Sequence, residues 1–280
     1  MSEANELPIP REALGGWLAV SPIAGGGFEA VLENFFGAAL RADLLARAAL
    51  AAQSVRRSDV LRSLRAEWLA PAPPGLPISL RVSALGAAPG APRLELTADC
   101  DAPIARIVAS FAPTGGGLSY QDAVLPPDLP EPDALPTSAE YARKEGWPEA
   151  YAQGPLEFRR VGALHPNAAA GESRDHVEWL RLRAPLPREP RIEAAALIFL
   201  AAFYDQWEFE RRNERFDFSR FSVLSQSVWL HGALRPNEWL LLRASSRIAR
   251  DGRAVGAREL FARDGTLLAT VASEALVAES

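Results

Sequence analysis

The apolar positions of this chain change period as the sequence is followed, and each change marks an element. Between about Ile192 and Tyr204 the run Ala194, Ala195, Ala196, Leu197, Ile198, Phe199, Leu200, Ala201 is apolar on every side, with Pro190 where a helix would start. A helix of that kind belongs in an interior. An earlier helix is predicted over about Phe28–Ala52, where Phe36, Leu40, Leu44, Leu45 and Ala48 fall near helical spacing. Elsewhere the period is two, as in strands. Arg93–Cys100 and Ile104–Phe111 flank Asp101-Ala102-Pro103, and Val255–Phe261 and Leu267–Leu276 flank Asp264-Gly265. Asp-Gly between two alternating runs is a strong hairpin signal. Alternation also returns over Leu156–Ala184, through Val177, Trp179 and Leu182.

The pattern occurs twice. A stretch from Ser63 through Trp68 continues to Leu80, twelve residues after the tryptophan, and a stretch from Ser225 through Trp229 continues to Leu242, thirteen residues after its own. Each is preceded by a helix and followed by a hairpin, so each half reads as one long helix and about four antiparallel strands. A helix wrapped by an antiparallel sheet is the hotdog arrangement. The expected fold is therefore α+β, a double hotdog of two fused repeats, each with a long helix packed against an antiparallel sheet. The expected boundaries are 1–114 for the first hotdog, 115–155 for a linker and 156–280 for the second. The linker reading rests on Gly115-Gly116-Gly117 and on prolines at 126, 127, 130, 132, 136 and 148, and places this segment over the surface.

Composition narrows the function more than it names it. With 280 residues, 48% of them hydrophobic, the chain has material for one large core or two modest ones. A net charge of -5 offers no basic footprint for nucleic acid or an anionic membrane, so attraction for a phosphorylated ligand would have to be local. No apolar run reaches the roughly 18 residues of a spanning helix, and the first thirty residues lack a secretory pattern. The single cysteine, Cys100, excludes an intramolecular disulfide. A cytoplasmic location follows as the default. His165, His176 and His231 are scattered, which argues against a metal site, and Gly25-Gly26-Gly27 reads as a flexible approach to the first helix. Glu208, Glu210, Arg211, Arg212, Glu214 and Arg215 read as a solvated face. There is no nucleophile elbow and no phosphate loop.

At Ser227-Val-Trp229-Leu-His231, Asn237-Glu238-Trp239-Leu240-Leu241, Arg253 and Asp264-Gly265-Thr266-Leu267-Leu268-Ala269 the chain resembles the acyl-CoA thioesterase II family. The first half is similar more loosely, through Phe36-Gly37, the Trp68 strand and Ser110-Phe111-Ala112-Pro113. The resemblance implies hydrolysis of an acyl-CoA thioester by an activated water, with no cofactor and with association into homo-oligomers. It implies three side chains: an Asp at the end of the second hotdog helix, a Thr or Ser hydroxyl, and a Gln amide. A carboxylate orients or deprotonates the water, and the hydroxyl and amide fix it. The Asp is Asp205. The hydroxyl position is Val223, and the Gln position is Ser273.

Two of three expected groups are thus replaced, and three readings stay open. In a rearranged thioesterase, Ser225 and Ser227 would present hydroxyls beside Val223, because 223, 225, 227 and 229 should share one strand face, and Ser273 would hold water in place of the amide. Gln226 would face away unless a bulge intervenes. Catalytic candidates are then Asp205, Ser225, Ser227 and Ser273, with Phe36, Gly37, Trp68, Val223, Trp229 and His231 lining the substrate space and no metal. Alternatively the protein binds an acyl or CoA ligand, or serves as a scaffold, without chemistry. The third reading is a different acyl-thioester reaction, dehydration or acyl transfer.

Overall fold

The computed structural model describes residues 18–32, 40–88, 90–113, 116–146, 156–161, 175–183, 185–203, 207–210, 216–235 and 237–278. In chain order these form β1 (Ser21–Ile23), β2 (Gly27–Val31), α1 (Leu40–Val55), β3 (Val60–Trp68), β4 (Pro77–Ala88), β5 (Ala91–Cys100), β6 (Ala102–Ala112) and α2 (Ser138–Glu145). There follow β7 (Leu156–Val161), β8 (His176–Leu182), α3 (Pro190–Ala202), α4 (Trp207–Glu210), β9 (Ser222–Leu230), β10 (Leu240–Arg250), β11 (Arg253–Ala262) and β12 (Leu267–Leu276). The strands make one antiparallel sheet in the order β1-β2-β4-β5-β6-β3-β9-β12-β11-β10-β8-β7.

The two halves of that order match. A strand pair, a helix and four strands occur once before Pro113 and again after Pro155, and in each set of four the first strand ends beside the fourth. β3 and β9 meet at the centre, with Ala66 opposite Gln226. α1 and α3 pack against each other on one face of the sheet. Both are alanine-rich, so they approach closely, and Gln53 Nε2 donates to the Arg191 carbonyl 3.3 Å away to join them. The core runs continuously through both halves, from Leu64, Leu96 and Ile107 to Val228, Leu260 and Val271. A twisted antiparallel sheet curls around helices laid on one face.

Three expectations change. The first helix does not begin at Phe28. Gly25 and Gly26, with φ of 89° and 86°, turn the chain between β1 and β2, and Phe28 and Ala30 pair with Leu80 and Ile78. The glycine run is therefore a hairpin turn, which needs the left-handed region that glycine occupies without strain. Tyr204, the expected end of the second helix, lies outside the described residues. The linker also packs more than expected. Leu125, Leu129 and Leu135 cover Trp179, Trp239, Leu241 and Phe261 on the sheet face away from the helices, and Trp179 Nε1 donates to the Pro130 carbonyl at 3.0 Å. Within it α2 starts at a capping box formed by Thr137 and Glu140. These apolar residues are spread among prolines, so no helical or strand period reveals them.

Candidate functional site

One row across the sheet holds the chemistry. Successive pairings set Val82, Leu96, Ile107, Ala66, Gln226, Ser273, Gly256 and Ser246 side by side on the face toward α1 and α3. The first four are apolar. The next four are polar or glycine. Gln226 is fully buried and Ser273 nearly so. Among the described residues neither the Gln226 Nε2 and Oε1 nor the Ser273 Oγ has a hydrogen-bond partner. Side chains directly opposite on paired strands have Cβ atoms about 5 Å apart, so the amide and the hydroxyl share one small space. Leaving such groups unpaired costs about 1–3 kcal/mol each, and a site that receives a polar guest repays that cost.

A bulge puts Gln226 there. Ser225 stands opposite Glu274 and Val223 opposite Ala275, so Leu224 is an extra residue in β9. One inserted residue reverses the alternation. Val223 and Gln226 both turn inward as a result, with Val228 and Leu230. The expectation that 223, 225, 227 and 229 share a face fails at this bulge. Ser225 and Ser227 lie on the outer face, where Arg65 Nε donates to Ser227 Oγ at 3.3 Å. Trp229 is also outward and 37% exposed. His231 follows it, with Nε2 2.9 Å from Thr270 Oγ1, and partial burial pushes its pKa below the ordinary histidine value. Trp68 by contrast faces the core at the end of β3. The structure thus brings Ser273, Val223 and Trp68 to the helix side and leaves Ser225, Ser227, Trp229 and His231 on the other. Asp205, Phe36 and Gly37 lie outside the described residues.

Beside this row Arg258 of β11 fastens the chain that follows α3. Its Nη1 donates to the Phe203 carbonyl at 2.7 Å, and its Nε and Nη2 face both carboxylate oxygens of Glu208 at 2.8 to 3.2 Å. Both side chains are buried. Glu208 is therefore not part of a solvated face, as the charge pattern suggested. Its carboxylate and the Phe209 ring lie directly on Gly256, where an added Cβ would sit 2.6 Å from Glu208 Oε1. Further along the same side, Glu178 sits 3.3 Å from His176 Nε2 and 3.9 Å from Arg160 Nε, all three buried.

The sequence reading missed Gln226, Arg258 and Glu208. A signal for Arg258 existed: it occupies an inward position between Gly256 and Leu260, and a buried arginine needs a buried carboxylate. Gln226 had none, because the bulge that turns it inward has no residue signature in Ser222–Leu230.

The inward Gln226 and Ser273 pair is the arrangement to set beside known proteins. The family model described as the acyl-CoA thioesterase C-terminal domain matches residues 126–277, more than half the chain. The chain belongs to the acyl-CoA thioesterase II family. Among curated relatives of this family, acyl-CoA thioesterase 2 of Haemophilus influenzae is 23% identical over 244 residues, 84% of this chain and 85% of that one. Among solved structures, the acyl-CoA thioesterase II TesB2 of Mycobacterium marinum is similar with a TM-score of 0.74 and 23% identity, covering 96% of this chain and 99% of that one. A protein with a hot dog fold from Alicyclobacillus acidocaldarius gives a TM-score of 0.75 at 18% identity, over 96% and 99% of the two chains. The fold is thus α+β of the hotdog type. Val223 and Ser273, the positions where the resemblance implied a hydroxyl and a Gln, both face inward, and Gln226 faces inward from the strand beside Ser273.

Proposed function

We propose that this chain hydrolyses acyl-CoA thioesters, with water held by the Gln226 amide and the Ser273 hydroxyl and activated at Asp205. The observation that carries the reading is the pair of buried polar side chains, without a hydrogen-bond partner among the described residues, facing the helices from β9 and β12. Asp205 comes two residues after Phe203, whose carbonyl Arg258 holds. The repeated strand order supports a double hotdog, with the acyl chain lying between the two helices and the apolar end of the row.

The chemistry needs no covalent intermediate. The Asp205 carboxylate takes a proton as the water oxygen attacks the thioester carbonyl carbon. Charge grows on the carbonyl oxygen, and the Gln226 Nε2 hydrogens are donors suited to meet it in a site closed to solvent. The carbon–sulfur bond then breaks, the thiolate takes up the proton, and a carboxylate and a free thiol leave. Ser273 donates or accepts to orient the water. Val223, where a hydroxyl was expected, adds only apolar wall, so Gln226 carries more of the positioning here.

Thiol release from short, medium and long acyl-CoAs tests the proposal. Asp205→Ala is expected to slow release at least about a hundredfold, the scale of a lost general base. Gln226→Ala should cost about a hundredfold, the scale of a lost oxyanion donor. Ser225→Ala and Ser227→Ala should leave the rate within about twofold, since both face outward. Absence of release by the unaltered protein from every chain length, with acyl ligands still binding, would favour the ligand-binding reading.

A further inference from the structure

β3 ends on a tryptophan whose polar atom the packing leaves over. The Leu69 N–H at 2.8 Å and the Ala70 N–H at 3.2 Å both donate to the Ile104 carbonyl, which pins the chain directly after Trp68. Trp68 stands opposite Ala105, and Ala105 opposite Ala98. Both alanines are buried and small, so the indole has room on the inner face. The ring packs there against the core that α1 and α3 share. Its Nε1 is closed to solvent and has no hydrogen-bond partner among the described residues. An indole N–H can only donate, and it is costly to bury without an acceptor. Trp229, its counterpart in the repeat, turns toward solvent and meets no such cost.

What this N–H faces follows from the register. Ala66 stands opposite Gln226, so Trp68, two residues further along β3, is the diagonal neighbour of Gln226 across the strand pair. Diagonal neighbours on one face lie about 7–8 Å apart, within reach of aromatic and long side chains. On the Trp68 side of Gln226 the bulge turns Val223 inward, and its apolar side chain offers the indole no acceptor. Ser273 lies one strand further away, on β12. We propose that Trp68 Nε1 donates to the acyl carbonyl oxygen of the thioester, as a second donor beside the Gln226 amide. The proposal rests on the hydrolytic reading above and makes Trp68 a catalytic residue within it. A carbonyl oxygen has two lone pairs, and it gains charge as water adds to the carbon. The Gln226 amide meets one lone pair, Ser273 is engaged with the water, and the second lone pair falls to the indole. The indole keeps its proton, so it stabilises the charge and takes no part in proton transfer. Trp68 comes from the first half of the chain, and Gln226 and Ser273 come from the second. β3 and β9 meet at the centre of the sheet, so joining the halves is what assembles the site.

Two ligands separate a donor from a ring that only packs. A trifluoromethyl ketone analogue of acyl-CoA forms a tetrahedral hydrate and presents an oxygen where the charge develops. An S-alkyl-CoA of equal length has no such oxygen. Both are titrated calorimetrically into the full chain and into Trp68→Phe, which keeps an apolar ring and loses the N–H. Affinity for the ketone should fall at least about tenfold, and affinity for the thioether should stay within about twofold. For acyl-CoA, kcat should fall at least about tenfold with KM unchanged, the mark of a contact made in the transition state. An equal loss for both ligands would mean that the ring only packs. Unchanged ketone affinity would mean that the N–H points elsewhere, and either result overturns the proposal. Should Trp68→Phe fail to fold, the unaltered chain labelled at the Trp68 indole nitrogen alone gives a second reading. Its N–H resonance should move downfield with the ketone and not with the thioether, and an equal response to both overturns the proposal. If no thioester is cleaved while Trp68→Phe still loses the ketone selectively, the hydrolytic reading fails and the Trp68 contact stands.

Discussion

The two halves of the sheet share a strand order and differ in what they turn toward the helices. In the first half the row through the middle is Val82, Leu96, Ile107 and Ala66, and it does nothing but pack. In the second half the same row is Gln226, Ser273, Gly256 and Ser246, and the neighbouring inward positions hold Arg258, His176 and Glu178. The first half has a buried ion pair of its own, Asp43 and Arg47 at 2.8 Å within α1, and Arg47 Nη1 also donates to the Ala19 carbonyl. That pair joins a helix to the chain before β1. The Arg258 and Glu208 pair instead joins the sheet to the segment carrying Asp205. Under a repeated strand order, most of the buried polar groups among the described residues lie in the second half. Carrying them is tolerable because the apolar half supplies an unbroken core.

The largest effect that separates the halves should come from Glu208→Ala. It leaves Arg258 buried without its counter-charge, a situation that costs about 3–5 kcal/mol, and urea unfolding would measure it. Ile107→Val, on the same row in the first half, should cost only about 0.5–1.5 kcal/mol. A Glu208→Ala loss under about 1 kcal/mol would mean that water reaches the pair. Next in size is Gly256→Ala. The added Cβ would lie 2.6 Å from Glu208 Oε1 and 2.8 Å from Phe209 Cζ, so α4 must move. Overpacking of this kind costs about 1–3 kcal/mol, and hydrolysis should fall with it.

The repeat that made this comparison possible was legible in the sequence, but its register was not. The two tryptophans that mark it, Trp68 and Trp229, stand on opposite faces, Trp68 toward the core and Trp229 toward solvent. A one-residue slip in matching two strands exchanges the faces of every side chain, so the repeat gave the right elements and the wrong neighbours. The hairpins at Asp101 and Asp264-Gly265 could be read directly. Asp251-Gly252, with φ of 51° and 73°, makes a tight turn between β10 and β11 by the same rule and went unnoticed. Ser273 was placed by counting from Glu274 and does face inward. Gln226 was set aside by alternation alone, since strand period cannot foresee a bulge. Arg258 and Glu208 meet across fifty residues, and no local pattern encodes that contact.

The row itself can be exchanged. Gln226→Leu replaces an unpartnered amide with an apolar group of similar size, so stability should hold or rise by about 1 kcal/mol while thiol release falls. Ile107→Gln buries an amide in the apolar half and should lose about 1–3 kcal/mol with no gain in activity. Both are read from unfolding midpoints paired with rates. If Gln226→Leu destabilised the protein as much as Ile107→Gln, the amide would be a structural group and the division between halves would not be one of function.

The smallest effect is a dependence on pH that belongs to one half, since all three histidines follow residue 160. Burial lowers the His231 pKa below its ordinary value. As pH falls, the unfolded chain takes up the proton first, near its ordinary pKa of about 6.5. Stability is therefore full above that value and declines as pH drops from there to the lower folded pKa, below which the histidine adds no further slope. The ring is partly open to water, so the slope should be shallow. Asp264 is held below the usual carboxylate range by the Thr266 backbone N–H, then its hydroxyl, and by Arg235, so its own loss falls at more acid pH. His231→Asn should flatten the upper window in urea unfolding and leave the acid limb in place. An unchanged slope in His231→Asn would mean that burial of the His231 ring does not set the dependence.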